Sequence, residues 1–228
     1  GMAAGILMGT TLSASGGDTK LTRVSAVSAG YFALLGGRAA DGVSVIDCTA
    51  DQCVYGVALA PQNGLSPSLA RGVRIANNYL RTASTAIRLT SCYKSVVEGN
   101  IIIKMQDSSP NTTPNGSSSG ILLDGGGVVV PNGSQEVTVA NNSITHENGH
   151  LSVFDLYGVQ LLGDTPVNLT GPGTKMTGVR WNTVSGNTFT NCAVGVYAAA
   201  RGYGNRLFDN LYIDCTDDYF DGMALVEV

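Results

Sequence analysis

The chain repeats itself, and the repeat restricts it to one kind of architecture. A small residue followed by an apolar-x-apolar strand recurs along the sequence. The copies are Gly5-Ile6-Leu7-Met8, Gly30-Tyr31-Phe32-Ala33, Gly56-Val57-Ala58-Leu59, Ala86-Ile87-Arg88-Leu89, Gly120-Ile121-Leu122-Leu123, Gly158-Val159-Gln160-Leu161, Gly195-Val196-Tyr197-Ala198 and Gly222-Met223-Ala224-Leu225. Steps of roughly 25 to 38 residues belong to solenoids, whose units bury a core only by stacking on one another.

A second column consists of asparagines that end one strand and open the next: Asn78, Asn100, Asn142, Asn187 and Asn210. Each is preceded by Asn77, Gly99, Asn141, Gly186 or Asp209, residue types that tolerate the left-handed backbone of a sharp corner. Apolar residues lie three before each Asn (Ile75, Val97, Val139, Val184, Leu207) and two after it (Leu80, Ile102, Ile144, Phe189, Tyr212). Alternation around a tight corner sends both sets to the inner side. Five after each Asn come Ala83, Met105, Glu147, Cys192 and Cys215. Cys48 joins that column if Val43 takes the Asn position. Glu147 breaks it, so either the register slips there or the chain leaves the coil.

Composition agrees with a β-rich chain. Of 228 residues 30 are Gly, 43% are apolar and 13% are charged, which is enough apolar content for a core and low in charge. Net charge is −4 with no basic block, which argues against nucleic acid as a partner. No apolar run reaches the length of a membrane span. Residues 3–16 lack the positively charged start of a secretory signal. Five cysteines, an odd number at wide spacing, do not suggest a disulfide framework and read as small buried apolar residues. Gly1-Met2 reads as an expression scar, leaving 3–228 as a single β-helix domain.

The Asn-cornered coil followed by Gly-apolar-x-apolar resembles the right-handed single-stranded parallel β-helix of the pectin-lyase-like superfamily. The likeness is clearest from Gly72 to Gly222. That superfamily includes pectate lyases, polygalacturonases, alginate epimerases and bacteriophage tailspikes. The resemblance implies an all-β solenoid of about seven to eight coils with a stacked Asn ladder. It also implies a polysaccharide partner and an extracellular or virion-surface location. The sharper catalytic signatures of those enzymes are missing: there is no Gly-His-Gly with its surrounding aspartates, and no Asp-Pro-His. Because the chain starts and finishes in a coil, it is expected to be part of a longer chain or to have its ends capped by other subunits, as in a homotrimer.

Function is sought on the outer face of the Gly-column sheet, beneath the long non-repeating segments. Outward positions there would carry Arg88, Gln160 and Tyr197, with Arg201 nearby, as polysaccharide-binding residues. Asp124 and Asp164 form a candidate catalytic pair. Strand rise and coil spacing put their Cα atoms roughly 8 Å apart, compatible with inverting glycoside hydrolysis. Asp155 and Glu147 are alternative partners. A lyase would instead need a cation beside the uronate and a base. No cofactor is indicated, although Asp124, Asp155 and Asp164 could supply oxygen ligands to calcium.

His146-Glu147-Asn148-Gly149-His150 matches the His-Glu-x-x-His pattern of zinc proteases, but that chemistry needs a helix. Here the segment follows a strand corner and contains an Asn-Gly turn, so no metal site is assigned to it. The expected function is a carbohydrate-active or carbohydrate-binding β-helix. The alternative is a non-catalytic structural or adhesive stalk.

Overall fold

The computed structural model describes residues 4–8, 19–36, 41–60, 70–105, 118–124, 133–147, 156–162, 179–198, 204–221 and 225–227. These residues contain no helix, and their strands stack coil upon coil into three long parallel sheets, with a short two-stranded one between Ala70–Arg71 and Cys92–Tyr93. The wide sheet comprises Ala4–Met8, Tyr31–Gly36, Tyr55–Ala60, Ile87–Thr90, Ser118–Asp124, Leu156–Leu162, Val194–Ala198 and Asp217–Asp221. A second sheet precedes the Asn corner and includes Arg74–Ala76, Val96–Glu98, Thr138–Ala140 and Thr183–Ser185. A third follows the corner and includes Thr49–Cys53, Tyr79–Thr82, Ile101–Lys104, Ser143–His146, Thr188–Thr190 and Leu211–Ile213. The architecture is the right-handed parallel β-helix expected from the repeat, with about seven coils.

The corner works as the residue types require. Asn77, Gly99, Asn141, Gly186 and Asp209 all have φ between 54° and 63°, the left-handed region. Each following Asn turns inward and bonds to the next coil. Asn78 Nδ2 donates to Asn100 Oδ1 at 2.9 Å, Asn100 to Asn142 at 2.9 Å, Asn142 to Asn187 at 2.9 Å, and Asn187 to Asn210 at 3.0 Å. The same oxygens accept backbone N–H groups, as when Asn100 N donates to Asn142 Oδ1 at 3.0 Å. The ladder therefore satisfies buried polar groups that the bend removes from the sheets.

Side chains on either side of the corner converge on the core. Ile75, Val97, Val139 and Val184 meet Leu80, Ile102, Ile144 and Phe189, all at 0% exposure. Val57, Ile87, Ile121, Val159 and Val196 close the third side in direct register. Burying each such side chain contributes roughly 1.5–3 kcal/mol.

The glycines that open the wide-sheet strands sit where that sheet meets this packing. A Cβ on Gly120 would lie 2.6 Å from Ile144 Cγ2, and one on Gly158 would run into Phe189 and the Gly195 carbonyl.

Three register details differ from the sequence reading. At the first coils Ala33 pairs with Ile6 and Val57, so Phe32 lies at the level of Gly56. A two-residue slip leaves inward and outward faces unchanged, which is why the pattern hides it. In the last coil Val196 pairs with Tyr219, putting Asp218 at the level of Gly195. The Gly222 copy is thus not a wide-sheet strand. Residues 222–224 lie outside the described residues, and Leu225–Glu227 pairs with Asn205–Leu207 in the pre-corner sheet.

The third difference concerns cysteine. Cys48 occupies the Asn position itself, where its N–H donates to Asn78 Oδ1 at 2.9 Å. Val43 belongs to another corner column, continued by Val73, Ser95, Val137, Asn182 and Asn205. That column holds a second, shorter ladder, in which Asn182 Nδ2 donates to Asn205 Oδ1 at 3.0 Å.

The column five after the corner has a physical rule. Gln52, Asn191 and Asp214 are left-handed (φ 54°, 58° and 52°), and the residue after each is Cys53, Cys192 or Cys215. Cys53 and Cys192 are fully buried there. Where no left-handed residue intervenes, the preceding residue points inward instead, giving the buried column Thr82, Lys104 and His146. Glu147 is then exposed while the strand register continues unbroken, with Glu147 N bonding Lys104 O at 3.0 Å. The register does not slip at Glu147, and residues 148–155 lie outside the described residues.

Candidate functional site

The outer face of the wide sheet is organised by register. Ala58, Arg88, Leu122, Gln160, Tyr197 and Phe220 stand in one column on successive coils. With strands about 4.8 Å apart, this column extends over about 24 Å. Its middle is closed, with Leu122 at 9% and Gln160 at 5% exposure, whereas Phe220 is 49% exposed.

Aromatic rings line the half of this face toward the last coil. Tyr197 lies between Tyr157 and Phe220, with centroids 4.6 Å and 5.2 Å away. The Tyr197 and Phe220 rings are within 8° of parallel. Tyr157 is buried and Tyr197 half-buried, so the ladder becomes more open coil by coil. In-register stacking of consecutive coils places Tyr197 and Phe220 one rung apart, whereas Tyr157 pairs with Val194 and meets Tyr197 across the adjacent strand. At the other end of the face Tyr31 and Tyr55 stack at 4.6 Å and 12°. Burial, and then the neighbouring Tyr55, push the Tyr31 phenol pKa up, while the Arg88 charge opposes that shift.

Polar groups lie between the two aromatic ends. Ser119 Oγ donates to Gln160 Oε1 at 2.7 Å, which fixes the amide beside Tyr157. Arg88 grips one oxygen of Asp124 through Nε at 2.9 Å and its terminal nitrogen at 2.6 Å. The Arg88 side chain is 51% exposed and that of Asp124 only 11%. The other carboxylate oxygen, Asp124 Oδ1, is buried with no hydrogen-bond partner among the described residues, as is the hydroxyl of Thr90 on the adjacent strand.

The structure thus gathers Arg88, Asp124, Gln160 and Tyr197 on one face. Glu147 lies elsewhere: it bonds Arg81 at 2.7 Å and 3.2 Å, and that arginine also reaches Asp51 on the post-corner sheet. Asp155, Asp164 and Arg201 lie outside the described residues. His146, the first histidine of the His-Glu-x-x-His segment, faces the core at 2% exposure and the adjoining Glu147 faces solvent. The two do not share a side as the helical motif requires, and His150 lies outside the described residues.

Sequence reasoning missed Tyr157 and Phe220. Tyr157 was hidden because strict alternation from the inward Val159 sends it to the core, whereas Gly158 also faces the core and so turns Tyr157 outward against Tyr197. Phe220 was hidden by assigning the last copy to Gly222 and its outward place to Ala224.

Among the described residues, no group of three or more His, Cys, Asp or Glu side chains comes together as a metal site. No described helix is long and apolar enough to cross a membrane.

Comparison with known proteins gives a family. A surface adhesin of Streptococcus pneumoniae, PfbA, matches among solved structures with TM-score 0.39 and 10% identity, over 87% of this chain and 58% of that one. The chain therefore spans little more than half of the adhesin. No curated protein matches. A family profile described as periplasmic copper-binding protein (NosD) matches residues 8–219. That family is one of parallel β-helices within the pectin-lyase-like superfamily, and the match covers nearly all of this sequence. The Asn-cornered coils, their parallel sheets and the profile match agree: the chain belongs to the NosD family.

Proposed function

We propose that the chain is a carbohydrate-binding β-helix of the cell envelope, holding an extended glycan along the outer face of its wide sheet. The observation that carries this role is the ladder Tyr157–Tyr197–Phe220, which grows more exposed toward the last coil. Flat aromatic faces bind the apolar faces of sugar rings, and a few fixed polar groups orient the hydroxyls. Gln160, held by Ser119, and Arg88, held by Asp124, are such groups on the same face.

Binding is the activity that these groups support. Glycoside hydrolysis needs two carboxyls facing one bond. Asp124 pairs with Arg88 and Glu147 with Arg81 on another face, so these two carboxylates do not face one bond, and Asp155 and Asp164 lie outside the described residues. The family's periplasmic description supports an envelope location rather than the virion surface that a tailspike resemblance implies.

Affinity electrophoresis against bacterial capsular, plant and algal polysaccharides tests this. Retardation by one polysaccharide class is expected, with about tenfold weaker binding in Tyr197→Ala, a loss of about 1.4 kcal/mol. The proposal fails if nothing retards the chain, if Tyr197→Ala and Phe220→Ala both bind unchanged, or if incubation releases reducing sugar.

The family description also names copper, which calls for nitrogen or sulfur ligands. Among the described residues no three-ligand cluster fits it.

A further inference from the structure

A second outward strip runs along the turn that leads into the pre-corner sheet. Arg71 pairs with Tyr93, Tyr93 with Gln135, and Gln135 with Arg180 on successive coils. One residue further on stand Gly72, Lys94, Glu136, Trp181 and, on the next coil, Gly204, all left-handed with φ between 48° and 67°. Arg206 N bonds Asn182 O at 2.8 Å, which sets Arg206 on the coil after Trp181. At about 4.8 Å per rung, the cations Arg71, Lys94, Arg180 and Arg206 are strung along about 19 Å of this edge.

Trp181 stands where glycine would be easiest. Its φ is 55°, a backbone that glycine adopts freely and a bulky side chain only under strain. Such strain gathers at sites that use it. Core packing does not explain the residue, because Trp181 is 47% exposed. The next coil makes room for the indole: a Cβ on Gly204 would lie 2.5 Å from Trp181 Cδ1. The Arg180 guanidinium carbon lies over the Trp181 ring, 4.6 Å from its centroid, and Lys94 Nζ lies over the Tyr93 ring at 5.1 Å. Each ring thus holds the cation beside it in the chain and fixes a side chain that would otherwise sweep through solvent.

We infer that this strip docks an anionic polysaccharide, one bearing carboxylate or sulfate groups. Charge complementarity carries the assignment. The chain has a net charge of −4, yet the strip sets Arg71, Lys94, Arg180 and Arg206 against the carboxylates of Asp41 and Glu136. Asp41 Oδ1 accepts the backbone N–H of Arg71 at 2.7 Å. Glu136 comes only within 4.0 Å of Lys94, with side chains 40% and 63% exposed, so water screens that pair. Guanidinium groups bind oxyanions through paired N–H donors, and a narrow row stepped by the coil spacing fits an extended chain. Single-stranded nucleic acid fits less well, because it stacks bases on open aromatic faces and these rings carry their own cations. The strip lies apart from the wide-sheet face and does not depend on the sugar-binding role given to that face.

Trp181 is the only tryptophan of the chain, so its fluorescence reports on the strip directly. The full chain is titrated with polygalacturonate, dextran sulfate and neutral dextran, and retention on resin bearing each polymer measures binding independently. A saturable change in Trp181 emission is expected with an anionic polymer and none with dextran, and the polymer that works separates carboxylate from sulfate recognition. Raising NaCl from about 50 mM to about 500 mM should weaken binding about tenfold or more. The double variant Lys94→Gln/Arg206→Gln changes two exposed side chains, so circular dichroism should show an unchanged fold, and binding should weaken about tenfold. Tyr197→Ala should leave this binding unchanged while weakening that of the wide-sheet face, so either role can fail alone. The inference is overturned if neither anionic polymer is retained, if retention leaves Trp181 emission unchanged, if the double variant binds equally well, or if duplex DNA binds more tightly than both polymers.

Discussion

Lys104 and His146 are register partners on adjacent strands inside the solenoid, at 1% and 2% exposure. Lys104 Nζ lies 3.2 Å from Thr82 Oγ1 and 3.4 Å from Thr82 O, and the His146 imidazole carries a buried Nε2 with no hydrogen-bond partner among the described residues. Burial, and then the charge of Lys104, lower the His146 pKa to about 3, with a hydrogen bond to the Tyr157 backbone acting in opposition. In the unfolded chain the imidazole titrates near 6.5. Between these values the unfolded state binds the extra proton, so stability is fullest above about pH 6.5 and falls as pH drops toward 3. The slope contributed by His146 is at most about 1.4 kcal/mol per pH unit. Urea midpoints measured from pH 7.5 down to pH 4 should decline, and His146→Gln should flatten the decline. An equal decline in the variant would remove His146 as the cause.

The Asn ladder should be most vulnerable at its centre. Asn142 donates to Asn187 Oδ1 and to Val97 O, while its own oxygen accepts from Asn100 N and Asn100 Nδ2. Asn142→Ala removes all four bonds and strands the buried Asn100 N–H and Val97 carbonyl of the neighbouring coil. We expect a loss of roughly 3 kcal/mol, given about 1–3 kcal/mol for each unsatisfied buried group and partial relaxation. Asn210 heads the last rung, is only half-buried and donates to Val184 O at 2.9 Å. Its replacement by Ala should cost less, and denaturant midpoints of the two variants give the ordering.

The architecture was legible because a parallel solenoid writes its register into the sequence. Each coil must repeat the corner, and only a few residue types meet the corner's backbone and hydrogen-bond demands. Asn78 through Asn210 therefore stood out. The second ladder did not, because Asn182 and Asn205 share their column with Val43, Val73, Ser95 and Val137, so asparagine marks only its last two positions. The cysteine column was misplaced for a related reason. One left-handed residue at Gln52, Asn191 or Asp214 decides which neighbour turns inward, and polar residues of that kind look alike in sequence. The candidate site was legible only where strand alternation controls it, at Arg88, Asp124, Gln160 and Tyr197. Pairings that depend on side-chain reach, such as Arg81 with Glu147 and Arg88 with Asp124, left no sequence signal.

Two glycines separate backbone strain from steric exclusion. Gly72 has φ +63° with open space where a Cβ would stand. Gly72→Ala should cost only the left-handed penalty, about 1 kcal/mol. Gly158 carries no such φ, yet its Cβ would meet the Gly195 carbonyl and the Phe189 ring. Backbone in a stacked coil cannot move without displacing the next rung, so Gly158→Ala should cost about 3 kcal/mol or more. Equal melting-temperature losses for the two variants would contradict this packing account.

The Arg88–Asp124 pair predicts an asymmetry between its two members. Arg88→Ala leaves the largely buried Asp124 carboxylate without its cation, and Asp124 Oδ1 already has no partner among the described residues. Breaking a fully buried pair costs about 3–5 kcal/mol, but Arg88 is half-exposed, so solvent screening reduces the expected loss to about 1–2 kcal/mol. Asp124→Asn removes the buried charge itself and leaves an arginine that water can solvate. Its loss should be smaller, below about 1 kcal/mol. Urea denaturation of both single variants and of the double variant at pH 7 measures the ordering. A larger loss in Asp124→Asn than in Arg88→Ala would mean that the carboxylate is held by contacts other than Arg88.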